Sequence, residues 1–228
     1  MTRIVDWRVS DPDIQLAVQC VQDGGLLVHP TDSSYGVACD AFNPNALERL
    51  KSLRGMTPDT VPVVLVSDVR MAQGLVAEVP PYARSLMERH WPGPLTIVLK
   101  SAPSLLWDLG ASGHTVPLRV PDHDALRQLI AAAGPIVVSG AHRVGDRPTF
   151  SLSDALESLG VSVDLAIDGG LLPDAQASTF VDCTGKTLDL VRLGALHLDD
   201  IMDTARAAGD AFGTPAGSNE DASEGADN

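Results

Sequence analysis

A short apolar run that halts at a proline and turns abruptly polar sets the tone of this chain. Leu26-Leu27-Val28-His29 follow the glycine pair Gly24-Gly25 and read as a buried strand. Pro30 has no N–H to give a ladder, so the strand is expected to end there. Thr31, Asp32, Ser33, Ser34, Tyr35 and Gly36 follow at once. Two readings stand side by side: an ordinary strand-to-turn junction, or the polar strand end at which α/β proteins bind small ligands.

Similar runs recur along the chain. Strands are expected over 61–66, 95–99, 115–120, 135–139, 163–167, 178–183 and 188–191, the last two joined by a turn at Gly185. Between them lie windows with helical spacing. These are 12–23, with Asp11 as N-cap; 43–54, capped by Asn43 or Asn45; 67–76, capped by Ser67; 81–89 and 121–133, opened by prolines; 151–159, capped by Ser151 or Ser153; and 197–208. Strands and helices mix without strict alternation, so the expected fold class is a single α/β domain on a mixed sheet. That domain is placed at residues 12–206, after an N-terminal extension (1–11) and before a tail (207–228). The tail is rich in Gly, Ala, Ser, Asp and Glu, too poor in apolar residues to fold, and is expected to be disordered.

The chain's 228 residues suffice for a sizeable core in one domain. Cys20, Cys39 and Cys183 are far apart and form no CxxC, which argues against a disulfide framework or a zinc site, and no residue is singled out as a metal ligand. There is neither a membrane-length apolar run nor a signal-peptide core, so a cytoplasmic protein with no membrane partner is expected. The net charge of −14 opposes broad electrostatic capture of nucleic acid; any nucleotide or RNA contact has to rest on a local basic cleft.

A succession of short motifs then becomes informative: Pro30-Thr31-Asp32-Ser33-Ser34-Tyr35-Gly36, Trp91-Pro92-Gly93-Pro94-Leu95-Thr96, Leu118-Arg119-Val120-Pro121, Asp168-Gly169-Gly170, Ser178-Thr179-Phe180-Val181-Asp182 and Val191-Arg192-Leu193-Gly194. Each is weak alone. In this order they resemble the YrdC/YciO family over roughly residues 12–202. The resemblance implies a YrdC-like twisted sheet with helices around a deep concave cleft. It also implies synthesis of threonylcarbamoyl-AMP from L-threonine, bicarbonate and ATP, with Mg²⁺, releasing pyrophosphate and serving a tRNA modification. Some members bind tRNA or double-stranded RNA.

Carried over position by position, the resemblance assigns Ser33, Arg119 and Ser178 to threonine and Arg54, His142, Arg143 and Arg192 to the nucleotide; no catalytic residue is named. Arg119 suits its role because a guanidinium grips a carboxylate with two hydrogen bonds. Asp32 is expected to order its turn through its carboxylate, with help to a magnesium-bound phosphate as the other reading. Tyr35 and Trp91 are assigned to packing before adenine stacking.

Two family signatures are altered. At Lys-x-Arg stand Arg54 and Met56, so one cation changes shape and the other is gone; Lys51, one turn earlier, is the nearest substitute. At Ser-x-Asn stand Gly140 and His142 or, with a one-residue shift, Ser139 and Ala141, so the motif is broken either way; Arg143 and Arg147 lie in the same loop. The amino-acid end of the family pattern is kept and the phosphate end is rebuilt. The alternative reading is therefore a YciO-like paralogue that binds nucleotide or RNA with little or no synthase activity.

Overall fold

The computed structural model describes residues 2–9, 13–57, 60–105, 107, 109–110, 113–160 and 163–208. In chain order the elements are β1 (Arg3–Asp6), α1 (Gln15–Gln22), β2 (Leu27–Pro30), β3 (Tyr35–Asp40), α2 (Pro44–Arg54), β4 (Val63–Leu65), α3 (Val69–Gly74), α4 (Pro81–His90), β5 (Leu95–Lys100), β6 (Thr115–Arg119), α5 (Asp124–Ala133), β7 (Ile136–Gly140), α6 (Leu152–Leu159), β8 (Leu165–Asp168), β9 (Thr179–Asp182), β10 (Asp189–Arg192) and α7 (Leu198–Ala207). The ten strands form one sheet in the order β1-β8-β2-β3-β7-β4-β6-β5-β9-β10. It is mixed, as the irregular alternation of elements implies: β1/β8, β2/β8, β4/β6 and β5/β9 run parallel, and the other neighbours antiparallel.

Alternate strand residues feed two apolar layers. Val28, Val37 and Cys39 join one layer with Leu50 of α2, Leu86 of α4, Leu159 of α6 and Ile201 of α7. Leu27, Ala38 and Leu65 join the other with Val18 of α1 and Leu129 and Ile130 of α5. Local caps set the helix starts. Asn43 Oδ1 accepts from Ala46 N at 3.0 Å and Ser151 Oγ from Asp154 N at 3.2 Å, as expected. The third helix differs: it begins one residue later, so Asp68, and not Ser67, is the cap, accepting from Met71 N at 3.0 Å. Asp11 and the tail from 209 onward lie outside the described residues.

The strand ends at Pro30 as expected: Pro30 is the last residue of β2, paired with Tyr35 at the closing rung of a hairpin, where no N–H is needed. Two corrections bear on the site. The polar run is therefore the tip of a hairpin, and the strand on its far side, β3, was not expected from sequence. Covered on both faces, β3 lacks the period-two pattern that marks a half-exposed strand. Finally, residues 3–6 of the supposed extension pair in parallel with β8, and Trp7 N donates to Asp168 O at 2.8 Å, so this segment is an edge of the sheet. Four residues with charged ends carry too little apolar signal to read as a strand.

Candidate functional site

The floor of the site is a row of side chains across the sheet. Leu65 of β4 lies opposite Arg119 of β6. The Ile97–Leu118 pair brings Thr96 of β5 beside Arg119. Thr96 faces Phe180 of β9, which faces Arg192 of β10. Residues in register share a face, so Arg119 and Arg192 rise on the same side, their backbones about 14 Å apart at the usual strand spacing. This is the face that α1 and α5 cover elsewhere. Here it is open, and a cavity of about 530 Å³ lies over it.

One wall is the hairpin tip. Thr31 Oγ1 accepts from the backbone N–H groups of Ser33 and Ser34, at 3.1 and 3.2 Å, and donates to Ser34 O at 2.7 Å. Thr31, and not Asp32, thus orders the turn. Asp32 instead reaches Arg119, its Oδ2 accepting from Nη2 at 2.6 Å, with the two side chains only 13% and 9% exposed. Arg119 Nε donates to Gly93 O at 3.0 Å. That gives the Trp-Pro-Gly-Pro turn its role. Gly93 adopts φ +158° after a cis Trp91–Pro92 bond, and a Cβ there would sit 2.6 Å from His90 O. Burial lowers the pKa of Arg119, against the opposing pull of Asp32; Arg192 lowers it further, as expected of two cations facing one cavity.

The opposite wall comes from the motifs at 178 and 192. Ser178 Oγ lies 2.9 Å from Thr96 Oγ1, and Ser178 O accepts from Arg192 Nη2 at 2.9 Å. Arg192 also stands 5.8 Å over the Phe180 ring. Gly194 makes this approach possible: a Cβ there would lie 2.1 Å from Ala177 O. Thr96, Phe180 and the Asp32–Arg119 pair were missed as site features. The alternation of Leu95-Thr96-Ile97, which puts a hydroxyl on the face opposite its apolar neighbours, was the available signal for Thr96.

The third wall is the altered end. Arg54 Nη1 donates to Gly140 O at 2.6 Å and to His142 O, so this cation ties down the 140–148 loop. Met56 lines the cavity where the family pattern has arginine. Lys51 does not replace it; it is buried, and its ammonium donates to Leu109 O at 3.3 Å. The His142 ring packs over Gly140 so closely that a Cβ at 140 would fall 2.3 Å from Cε1. The glycine and the histidine are therefore one coupled change. Burial and then Arg54 hold the His142 pKa below the ordinary imidazole value, against Asp146.

Six of the seven assigned residues, Ser33, Arg54, Arg119, His142, Ser178 and Arg192, line this cavity. Arg143 does not; it is exposed, and its Nη2 lies beside Gly160 at the end of α6, because the loop turns it outward after His142. Tyr35 and Trp91 are structural through their polar atoms: Tyr35 OH accepts from Gly169 N at 2.9 Å and donates to Gly170 O at 2.8 Å, and Trp91 Nε1 donates to Leu95 O at 2.7 Å. Among the described residues no cluster of His, Cys, Asp or Glu is placed to hold a metal ion, and no helix is long and apolar enough to cross a membrane. The cavity of this acidic chain is lined by three arginines and, among the described residues, by no carboxylate. Such a hollow selects an anionic, hydroxyl-bearing ligand.

A family profile named Sua5/YciO/YrdC, described as telomere recombination, matches residues 19–194. A Mycobacterium tuberculosis protein provisionally named threonylcarbamoyl-AMP synthase is 38% identical over 199 residues, covering 85% of this chain and 92% of that protein. The structure of Pyrococcus abyssi Sua5 complexed with L-threonine superposes with a TM-score of 0.79 at 27% identity, covering 90% of this chain; this chain spans 60% of that one. Escherichia coli YciO superposes equally well, with a TM-score of 0.79 at 28% identity, covering 88% of this chain and all of the other.

Proposed function

Because the chain belongs to the Sua5/YciO/YrdC family, we propose that its cavity binds L-threonine, bicarbonate and ATP and forms threonylcarbamoyl-AMP with release of pyrophosphate. The observation that carries this reading is a lining with three arginines and, among the described residues, no carboxylate. Arg119 spends one N–H on Asp32 and one on Gly93. A guanidinium has five, so donors remain for the threonine carboxylate. Ser33 and Ser178 supply hydroxyls beside it. The threonine amine attacks bicarbonate, water leaves and a carbamate results; a carbamate oxygen then attacks the α-phosphate, and pyrophosphate leaves. Such a transfer is governed by alignment and charge neutralisation more than by acid–base chemistry, which suits a site without an evident general base.

Magnesium fits this lining only as a companion of the nucleotide, held by phosphate oxygens and water, since among the described residues no carboxylate lines the cavity. The three free cysteines suit a reducing cytoplasm. Transfer of the product to tRNA is the downstream role that this reading implies.

Met56 and Gly140 favour a second reading, a paralogue with little synthase activity. Each lost phosphate contact costs about 1.5–3 kcal/mol. The test is pyrophosphate release from ATP, with and without threonine and bicarbonate, by the natural chain and by a Met56→Arg, Gly140→Ser, His142→Asn variant. Release that needs both co-substrates in the natural chain supports the synthase. Release by the variant alone supports the paralogue, and release by neither refutes the substrate assignment.

A further inference from the structure

The rim of the cavity between β8 and β9 runs between two fixed posts. At the first, Gly170 N donates to Asp168 Oδ1 at 2.9 Å, the Tyr35 hydroxyl bridges Gly169 N and Gly170 O, and Leu172 N donates to Phe150 O at 2.8 Å. At the second, Ala177 O accepts from Ala195 N at 2.9 Å and Ser178 O from Arg192 Nη2 at 2.9 Å. Between the posts, Pro173, Asp174, Ala175 and Gln176 make no hydrogen bond or ion pair with any described residue. Ala175 and Ala177 line the cavity, whereas Asp174 and Gln176 are exposed. The segment is a strap with small residues on the cavity and polar ones in solvent. The N–H groups of Asp174, Ala175, Gln176 and Ala177 have no partner among the described residues.

We propose that residues 173–176 close over the filled cavity, their free N–H groups turning onto the anionic ligand. The proposal rests on the ligand reading above and adds a moving part to it. The hairpin tip and β10 are tied down by Asp32–Arg119 and by Arg192 on Ser178 O, so they cannot supply that part. A segment with exposed backbone and no bonds to the rest of the chain opens and closes at low cost. Fixed at both ends, the strap flexes inward by a few ångströms and does not swing as a flap. Its run from Leu171 to Ser178 contains no glycine, and Pro173 has its φ already set, so little conformational freedom is lost on closing.

A ligand moves a segment only if it interacts more favourably with the moved state. Here the difference lies in the donors. In the open strap the N–H groups are hydrated; in the closed one they meet the ligand's oxyanions, and charge-assisted N–H···O⁻ bonds are roughly twice as strong as neutral ones. The side chains suit this movement. Alanines on the cavity side let the backbone settle close to the ligand, and the one carboxylate of the strap, Asp174, stays in solvent. The proposed chemistry gives closure a purpose. The product is a mixed anhydride of a carbamate and a phosphate, which water would cleave, and a closed strap keeps water from it until release.

The test is amide hydrogen exchange of the natural chain, read by mass spectrometry with and without L-threonine and α,β-methylene-ATP, whose bridge stops pyrophosphate from leaving. Calorimetry on the same sample scores binding of each probe, and exchange is read with whichever probes bind. Without them, the amides of 174–177 should exchange almost as fast as in an unstructured peptide. With them bound, exchange should slow by about tenfold or more, while α7 is unchanged. In Ala175→Pro, which removes one strap N–H, affinity should fall by about threefold to tenfold. If that variant unfolds, the exchange comparison in the natural chain decides alone. Strap amides that exchange equally fast with bound probes, or that are already protected without them, overturn the closure even if co-substrate-dependent pyrophosphate release persists. A folded Ala175→Pro that binds as tightly as the natural chain overturns the N–H contact. Binding of neither probe overturns the ligand reading and the strap together.

Discussion

Removing the Asp32 carboxylate should destabilise the fold far more than removing any surface carboxylate of equal pairing distance. Asp32 Oδ2 sits 2.6 Å from Arg119 Nη2, with side chains 13% and 9% exposed. Asp32→Ala leaves a guanidinium buried with Gly93 O as its remaining partner. Breaking a buried pair from one side costs about 3–5 kcal/mol, and the retained Gly93 bond argues for the lower end, about 3 kcal/mol. For a chain of this size that lowers Tm by about 6–12 °C. The internal control is the coupling of Arg49 with Asp164, at 2.7 Å but with side chains 51% and 46% exposed, where screening leaves about 0–1 kcal/mol; the coupling is the quantity compared because Asp164 Oδ2 also accepts from Leu26 N at 2.7 Å. The assay is a double-mutant cycle by thermal and urea unfolding: Asp32→Ala, Arg119→Met and the pair. A coupling energy of about 2–3 kcal/mol is expected. Additive losses, or an Arg49–Asp164 coupling as large as that of Asp32 with Arg119, would show that the pair does not hold the hairpin tip to the sheet.

Two other consequences are open to measurement. Gly194→Ala places a methyl against the Ala177 carbonyl, which is backbone and cannot swing aside; it should lower stability by about 2 kcal/mol and weaken threonine binding, as Arg192 loses its hold on Ser178, whereas Gly55→Ala, with open space around its Cβ but a φ of +69°, should cost only its local strain of about 1 kcal/mol. His29 is buried, its Nδ1 3.0 Å from the Pro30 carbonyl, and desolvation pushes its pKa down to about 4. The unfolded chain therefore binds a proton that the folded chain refuses. Stability is full above about pH 6.5 and should fall by about 2 kcal/mol between pH 6.5 and 5; His29→Gln should flatten that limb, and an unchanged slope would count against a neutral buried imidazole.

Much of this architecture was legible because local chemistry repeats itself. Asn43 and Ser151 cap where their side chains predict, Pro81 opens a helix, and the strands at 95–100 and 115–119 follow from β-branched runs. The ordered motifs pointed to one cavity, and Ser33, Arg54, Arg119, His142, Ser178 and Arg192 do line it. What failed to show was whatever depended on distant neighbours. The β3 strand hides its period because layers cover both faces, and β1 is a strand only because β8 lies alongside.

The chain's own order of residues determined which cations and hydroxyls the cavity has, since each sits on a strand, on a turn or, for Arg54, at a helix end that local propensity and pattern set. Tertiary structure decided what each is free to do. Asp32 and Arg119 are 87 residues apart in sequence, and sheet order alone joins them; Arg54 reads as a phosphate ligand until folding hands it the carbonyls of Gly140 and His142. The physical reason is that backbone conformation answers to neighbours along the chain, whereas a buried charge answers to whichever partner the fold brings within hydrogen-bond reach.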